Sequence, residues 1–229
     1  MALLALCERF VASHFPGAAI AVVGGSSARG TRTATSDVDL LVLGDDLFDG
    51  DSTSIAASYA FEGEVFEVFG YTPQAFAAWA QRGIEQRRPV IVQLLVEGLE
   101  VRGGQELSAL RDEWAPVLTA GPVADPHELD LRRYAITDLL DDLRDSTDDL
   151  EQYVLAWGLF ERTAELMLLD ERRWLGAGKY LPRRLRELSR ERADELTRPL
   201  LRGDLAAFAD RAEIELDRAG GRVQAGFVR

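Results

Sequence analysis

Cysteine is nearly absent from this 229-residue chain: Cys7 stands alone. A single thiol excludes an intrachain disulfide and suits a reducing cytoplasm. Histidine is almost as scarce, with only His14 and His127. Zinc chemistry and histidine-based triads therefore have almost nothing to work with. Lysine occurs once, at Lys179, and the other 25 of the 26 basic residues are arginine. No apolar run approaches the ~20 residues of a membrane span. The segment from Met1 to Phe15 starts apolar but is broken by Glu8 and Arg9. It lacks a long hydrophobic region and reads as an amphipathic helix, not a signal peptide. Internal repeats and low-complexity stretches are also missing.

Positive charge is in deficit. There are 26 basic and 39 acidic side chains, for a formal net charge of -13. A field of that sign repels nucleic acid phosphates, which argues against polymerase or tRNA-tailing roles. It tolerates a cationic small molecule. The charge is also uneven. Residues 1–170 carry 12 basic and 29 acidic groups, whereas residues 171–229 carry 14 and 10. The C-terminal segment is thus able to face a triphosphate, or it is simply an arginine-rich solvated surface. The 47% hydrophobic content is ordinary for a globular chain long enough for one large or two small domains.

The most informative stretch is VVGGSSARGTRTATSDVDLLVL. An apolar run, Ala18 to Val23, leads into the turn Gly24-Gly25-Ser26. A polar loop follows, and Asp37-Val38-Asp39 opens a second apolar run, Leu40 to Leu43. Short apolar runs bounded by turn residues read as buried strands. Side chains at i and i+2 of a strand share a face, so Asp37 and Asp39 are expected side by side, roughly 6–7 Å apart at Cα. Two such carboxylates can share divalent cations, and Mg²⁺ takes one or two of them plus substrate phosphates. The glycine turn lets backbone N–H groups approach a phosphate. A helix starting near Ser27 to Gly30 would add a favourable dipole. Phosphate cradle and metal carboxylates together suggest chemistry on a nucleoside triphosphate.

In order and spacing, GGSSARGTRTATSDVDLLV resembles the signature of the DNA polymerase β-like nucleotidyltransferase superfamily. Small bacterial members that modify aminoglycosides and lincosamides look most similar. The resemblance implies a third carboxylate on a later strand, and Val65-Phe66-Glu67-Val68-Phe69 fits it. Glu67 sits within an apolar run, where an unpartnered carboxylate is costly to bury. Glu64 falls on the opposite face by alternation. The resemblance further implies a cytoplasmic enzyme that uses two Mg²⁺ ions and an NTP, with ATP the expected one. It would pass a nucleoside monophosphate to a hydroxyl of a small acceptor and release pyrophosphate. Asp37 and Asp39 would hold the ions; Glu67 would complete the second metal site or take the acceptor proton. Glu161 and Asp138 are alternative bases. Gly25 and Ser26 would hold the β- and γ-phosphates. Arg29 and Arg32 are each either a phosphate contact or a solvated loop arginine.

A second unusual stretch is Trp174-Leu175-Gly176-Ala177-Gly178-Lys179-Tyr180-Leu181-Pro182-Arg183. It resembles a segment in the helical half of similar bacterial nucleotidyltransferases. Lys179, flanked by glycine, offers a compact charge for a triphosphate oxygen, or is a surface-turn lysine. Tyr180 and Trp174 either stack on a base or belong to the core.

The expected fold is α+β. A mixed-sheet nucleotidyltransferase domain is expected over residues 1–118 and an all-α helical bundle over residues 122–229, with the active site in the cleft between them. Glu62-Gly63 should join two antiparallel strands, Ile55 to Phe61 and Glu64 to Tyr71. Thr72-Pro73 should start a helix whose apolar side carries Phe76 and Trp79, and Gln86 to Glu97 should form another helix. Asp125-Pro126 should open the helical half, whose second long helix runs from about Asp148 to Leu169. Two rivals stand beside the enzyme reading. One is a protein-modifying, antitoxin-like nucleotidyltransferase. The other is a regulator that binds nucleotide without turning it over.

Overall fold

The computed structural model describes residues 2–228, so Met1 of the N-terminal segment lies outside the described residues. The chain divides into two compact units, Met1–Ala120 and Gly121–Arg229.

The first unit is built on a five-stranded sheet of order β3-β4-β2-β1-β5. Its strands are β1 (Ile20–Val23), β2 (Val38–Leu43), β3 (Ser54–Phe61), β4 (Glu64–Tyr71) and β5 (Leu99–Arg102). Only β2 and β4 run parallel; the other neighbours are antiparallel. The hairpin β3–β4 turns at Glu62 and Gly63, both at positive φ, the turn whose twist matches paired strands. Alternation along β2 sends Val38, Leu40 and Val42 to one face and Leu41 and Leu43 to the other. Helix α1 (Ala2–His14) covers the first face, packing Cys7, Phe10 and Val11 on Phe66 and Val68. On the second face lie α3 (Pro73–Glu85), α4 (Val90–Glu97) and α5 (Gly104–Ala120). The one-turn helix α2 (Gly25–Ala28) follows β1.

Cys7, on the sheet-facing side of α1, is fully buried, and burial pushes its thiol pKa up to about 11. At pH 8 the thiolate fraction is then about 100-fold below that of an ordinary cysteine. Native Cys7 is therefore expected to react with a disulfide dye at least ~100-fold more slowly than the guanidinium-unfolded chain. Equal rates would contradict the packing of α1.

Two sequence expectations need correction here. The expected helix from Gln86 begins only at Val90, and α3 runs on to Glu85. Arg87 takes a left-handed φ of 61°, and Pro89 disfavours the helical region for the residue before it. Trp79 is also not core: it is 44% exposed and carries the Arg82 guanidinium over its ring.

Among the described residues of the second unit every regular element is a helix: α6 (Pro126–Asp145), α7 (Asp149–Asp170), α8 (Tyr180–Leu188), α9 (Arg190–Leu201) and α10 (Leu205–Arg218). Asp125, Asp148, Ser189 and Asp204 each cap a helix by accepting a backbone N–H three residues on. Ile136, Leu140, Leu159, Phe160, Leu185, Phe208 and Leu216 share one core. Leu150, Val154 and Trp157, apolar members of α7 by spacing, are instead 73%, 65% and 64% exposed. The fold is α+β, a mixed sheet followed by helices.

Candidate active site

The site grows from the ends of β1, β2 and β4 on the α3–α5 side of the sheet. Asp39 is the second residue of β2 and lies level with Glu67 of β4 in the parallel ladder. Residues level in register send their side chains to the same face. Leu41 and Leu43, on the Asp39 side, and Phe69 and Tyr71, on the Glu67 side, continue that face into the core. The two carboxylates therefore stand together at the rim of an apolar surface. Asp39 is half-buried, while Glu67 is exposed. This corrects the buried setting expected for Glu67: its apolar neighbours Phe66 and Val68 point into the other face. Asp37 lies one residue before β2 and is exposed. It closes the loop instead of forming part of the strand, as the Asp-x-Asp spacing suggested.

The glycine turn reaches the same place by a backbone contact. Gly24 N–H donates to the Asp39 carbonyl at 2.9 Å, extending the β1–β2 pairing by one step. Gly25 then turns at φ +59°, and a Cβ built there would lie 1.6 Å from Asp39 Oδ2. Only a hydrogen fits between the turn and the carboxylate. Ser26 is the second residue of the single helical turn α2. Because α2 ends at Ala28, a long helix starting near Ser27 is absent, and a single turn sums few peptide dipoles. Any phosphate contact here rests on the backbone of the turn.

Two features were not read from the sequence. A Cβ at Gly24 would lie 2.1 Å from Leu94 Cδ2, so Gly24 lets α4 close over the sheet. The Ser27 hydroxyl is buried with no hydrogen-bond partner. The Gly-Gly doublet was the available signal for the first; nothing in the sequence marked the second.

Arg29 is exposed on the loop after α2. In the second unit, Lys179 is exposed, with its Nζ 5.6 Å from the Tyr180 ring centroid. The Arg183 guanidinium lies 5.2 Å from the same ring. Trp174 is only 8% exposed and belongs to the core, while Tyr180 is half-buried.

Among the described residues no group of three or more His, Cys, Asp or Glu side chains forms a ready metal cage. Mg²⁺ does not need one, since it keeps waters and takes phosphate oxygens beside one or two carboxylates. Asp39 and Glu67, level on one face with the glycine turn against Asp39, fit that donor set.

The family model described as nucleotidyltransferase domain matches residues 4–105. The first unit is a nucleotidyltransferase domain. The matched span holds all five strands, the glycine turn and the three carboxylates. Over that span the chain is of the DNA polymerase β-like type, the domain found in enzymes that transfer nucleoside monophosphates. Among solved structures, the chain is similar to a nucleotidyltransferase-like protein from Exiguobacterium sibiricum 255-15, at 14% identity and a TM-score of 0.48. That match covers 95% of this chain and 74% of the other. No curated protein matches the chain. No helix among the described residues is long and apolar enough to cross a membrane.

Proposed function

We propose that this nucleotidyltransferase transfers AMP from ATP, with Mg²⁺, to a hydroxyl of a small-molecule acceptor and releases pyrophosphate. The observation that carries the reading is the contact of the Gly25 turn with the Asp39 carboxylate, beside Glu67. It supports a reading in which a close-approach backbone for phosphate adjoins oxygen ligands for the cation that accompanies phosphate.

Divalent cations, when bound, would supply charge neutralisation for the triphosphate during transfer. The residues then divide the work. Asp39 and Asp37 hold the cations. Glu67 shares that task or accepts the acceptor proton. Backbone N–H groups at Gly25 and Ser26 bind the β- and γ-phosphates, with Arg29 near the same turn. The net charge of -13 favours a cationic acceptor over an anionic one.

The test is pyrophosphate release from ATP and Mg²⁺ across a panel of aminoglycosides and lincosamides, with Asp39→Asn as the blank. Release that needs one acceptor and needs Asp39 supports the reading. Release without acceptor dependence, or undiminished in the blank, refutes it.

Lys179 is proposed as a nucleotide contact carried by the second unit. Lys179→Ala is expected to weaken ATP binding by about tenfold, the loss of one charge-assisted contact, with kcat changing less. Unchanged ATP affinity by calorimetry would return Lys179 to an ordinary surface turn.

A further inference from the structure

The loop between α2 and β2 carries Asp37 to its place, and it contains no regular element. Its inner turn is self-contained. Ser36 N–H donates to the Thr33 carbonyl at 3.1 Å, and Thr33 N–H donates to Ser36 Oγ at 2.9 Å. That closes residues 33–36 but anchors them to nothing. The anchor is Arg32. One Nη2 hydrogen bond goes to the Ser36 carbonyl at 2.9 Å, the peptide immediately before Asp37. Nη1 donates to Glu64 Oε1 at 3.1 Å, and Nη2 also meets Glu64 Oε2. The fork is bidentate, the geometry in which arginine fixes orientation as well as charge.

Glu64 is the first residue of β4, three before Glu67 and on the opposite face. Counting back from Val38 level with Phe66, Ser36 falls level with Glu64. Arg32 therefore fastens the two parallel strands at the rung just beyond the end of their ladder. Both side chains are shielded, at 25% and 34% exposed. The hydrogen bond from Arg32 also holds the Glu64 carboxyl below its ordinary range, so the pair stays ionised through neutral pH.

We propose that Arg32, through Glu64 and the Ser36 carbonyl, is a positioning residue that sets Asp37 relative to Asp39 and Glu67 for cation binding. It touches neither nucleotide nor cation itself. It acts from behind the sheet, as outer-shell partners do when they orient metal carboxylates, an arrangement whose loss costs about 10–100-fold in metal affinity or activity. This rests on the functional reading above.

The test titrates Mn²⁺ into the 229-residue chain with α,β-methylene-ATP and counts free Mn²⁺ by electron paramagnetic resonance. Arg32→Gln and Glu64→Gln should each weaken Mn²⁺ about tenfold. The double variant should be no worse than either single one, because both break one clasp. Arg32→Lys, which keeps the charge but not the fork, should fall between. Turnover in the presence of acceptor should show a lowered kcat with an ATP KM nearly unchanged. Wild-type Mn²⁺ affinity in Arg32→Gln overturns the proposal, including where the thermal midpoint has fallen. So does weakening in Arg32→Gln that Glu64→Gln does not share. If the wild-type chain binds Mn²⁺ no better than Asp39→Asn, the functional reading itself fails, and the clasp has no cation site to serve.

Discussion

Asp39→Asn is expected to lower nucleotidyl transfer by about 10³-fold, the scale of losing a principal electrostatic contact to the transition state. The substitution keeps the shape and removes the charge. The backbone bond from Gly24 to the Asp39 carbonyl is untouched, so β1 and β2 should stay paired. Far-UV circular dichroism and a thermal midpoint within a few degrees of the wild type would confirm an intact fold. Asp39 carries this prediction more heavily than its neighbours for a structural reason. It is level with Glu67, borders the apolar face and lies against the glycine turn, whereas Asp37 is an exposed loop residue. Near-normal kcat in Asp39→Asn, with folding preserved, would remove the metal assignment.

Local features of the first unit are legible because they rest on short-range chemistry. The run Leu40 to Leu43 has to be a buried strand. Glu62-Gly63 between two alternating segments has to be a hairpin. Thr72-Pro73 is a cap followed by a first-turn proline, and Thr72 Oγ1 does accept from Ala75 N–H at 3.3 Å. The order Gly-Ser, Asp-x-Asp, strand glutamate also pointed to the superfamily that the domain match shows. What stayed hidden depends on register and packing between distant segments. That Asp39 lies level with Glu67 follows from the parallel pairing of β2 with β4, which no local pattern encodes. That Glu67 is exposed follows from its place at the sheet rim, where flanking apolar residues belong to the opposite face. Arg32 could have chosen any of several nearby acids. Only the fold brings Glu64, not Glu62, beside it; Glu62 pairs with Arg9 of α1 instead. The break before α4 turns on a left-handed Arg87, a conformation that arginine does not advertise.

Gly25→Ala should separate the chemistry of the site from the stability of its backbone. The new methyl carbon would lie 1.6 Å from Asp39 Oδ2 and 2.6 Å from Cγ, distances no packing tolerates. Either the turn lifts away or the Asp39 carboxylate swings out. Both responses part the phosphate cradle from the cation ligand, and displacement on the scale of 1 Å costs about 10²-fold in rate. There is a second cost: φ +59° at Gly25 is left-handed, which penalises alanine by about 1–2 kcal/mol. For a chain of this size that means a thermal midpoint lower by roughly 2–8 °C. Gly30→Ala serves as the control. Gly30 has φ +66°, but a Cβ there would meet nothing within 4 Å. Its backbone penalty is the same, without the collision. The expected outcome is similar destabilisation in both variants, with transfer lost about 10²-fold only in Gly25→Ala. If the two lose activity equally, the effect belongs to the strained loop as a whole, and the contact between Gly25 and Asp39 is not what the chemistry requires.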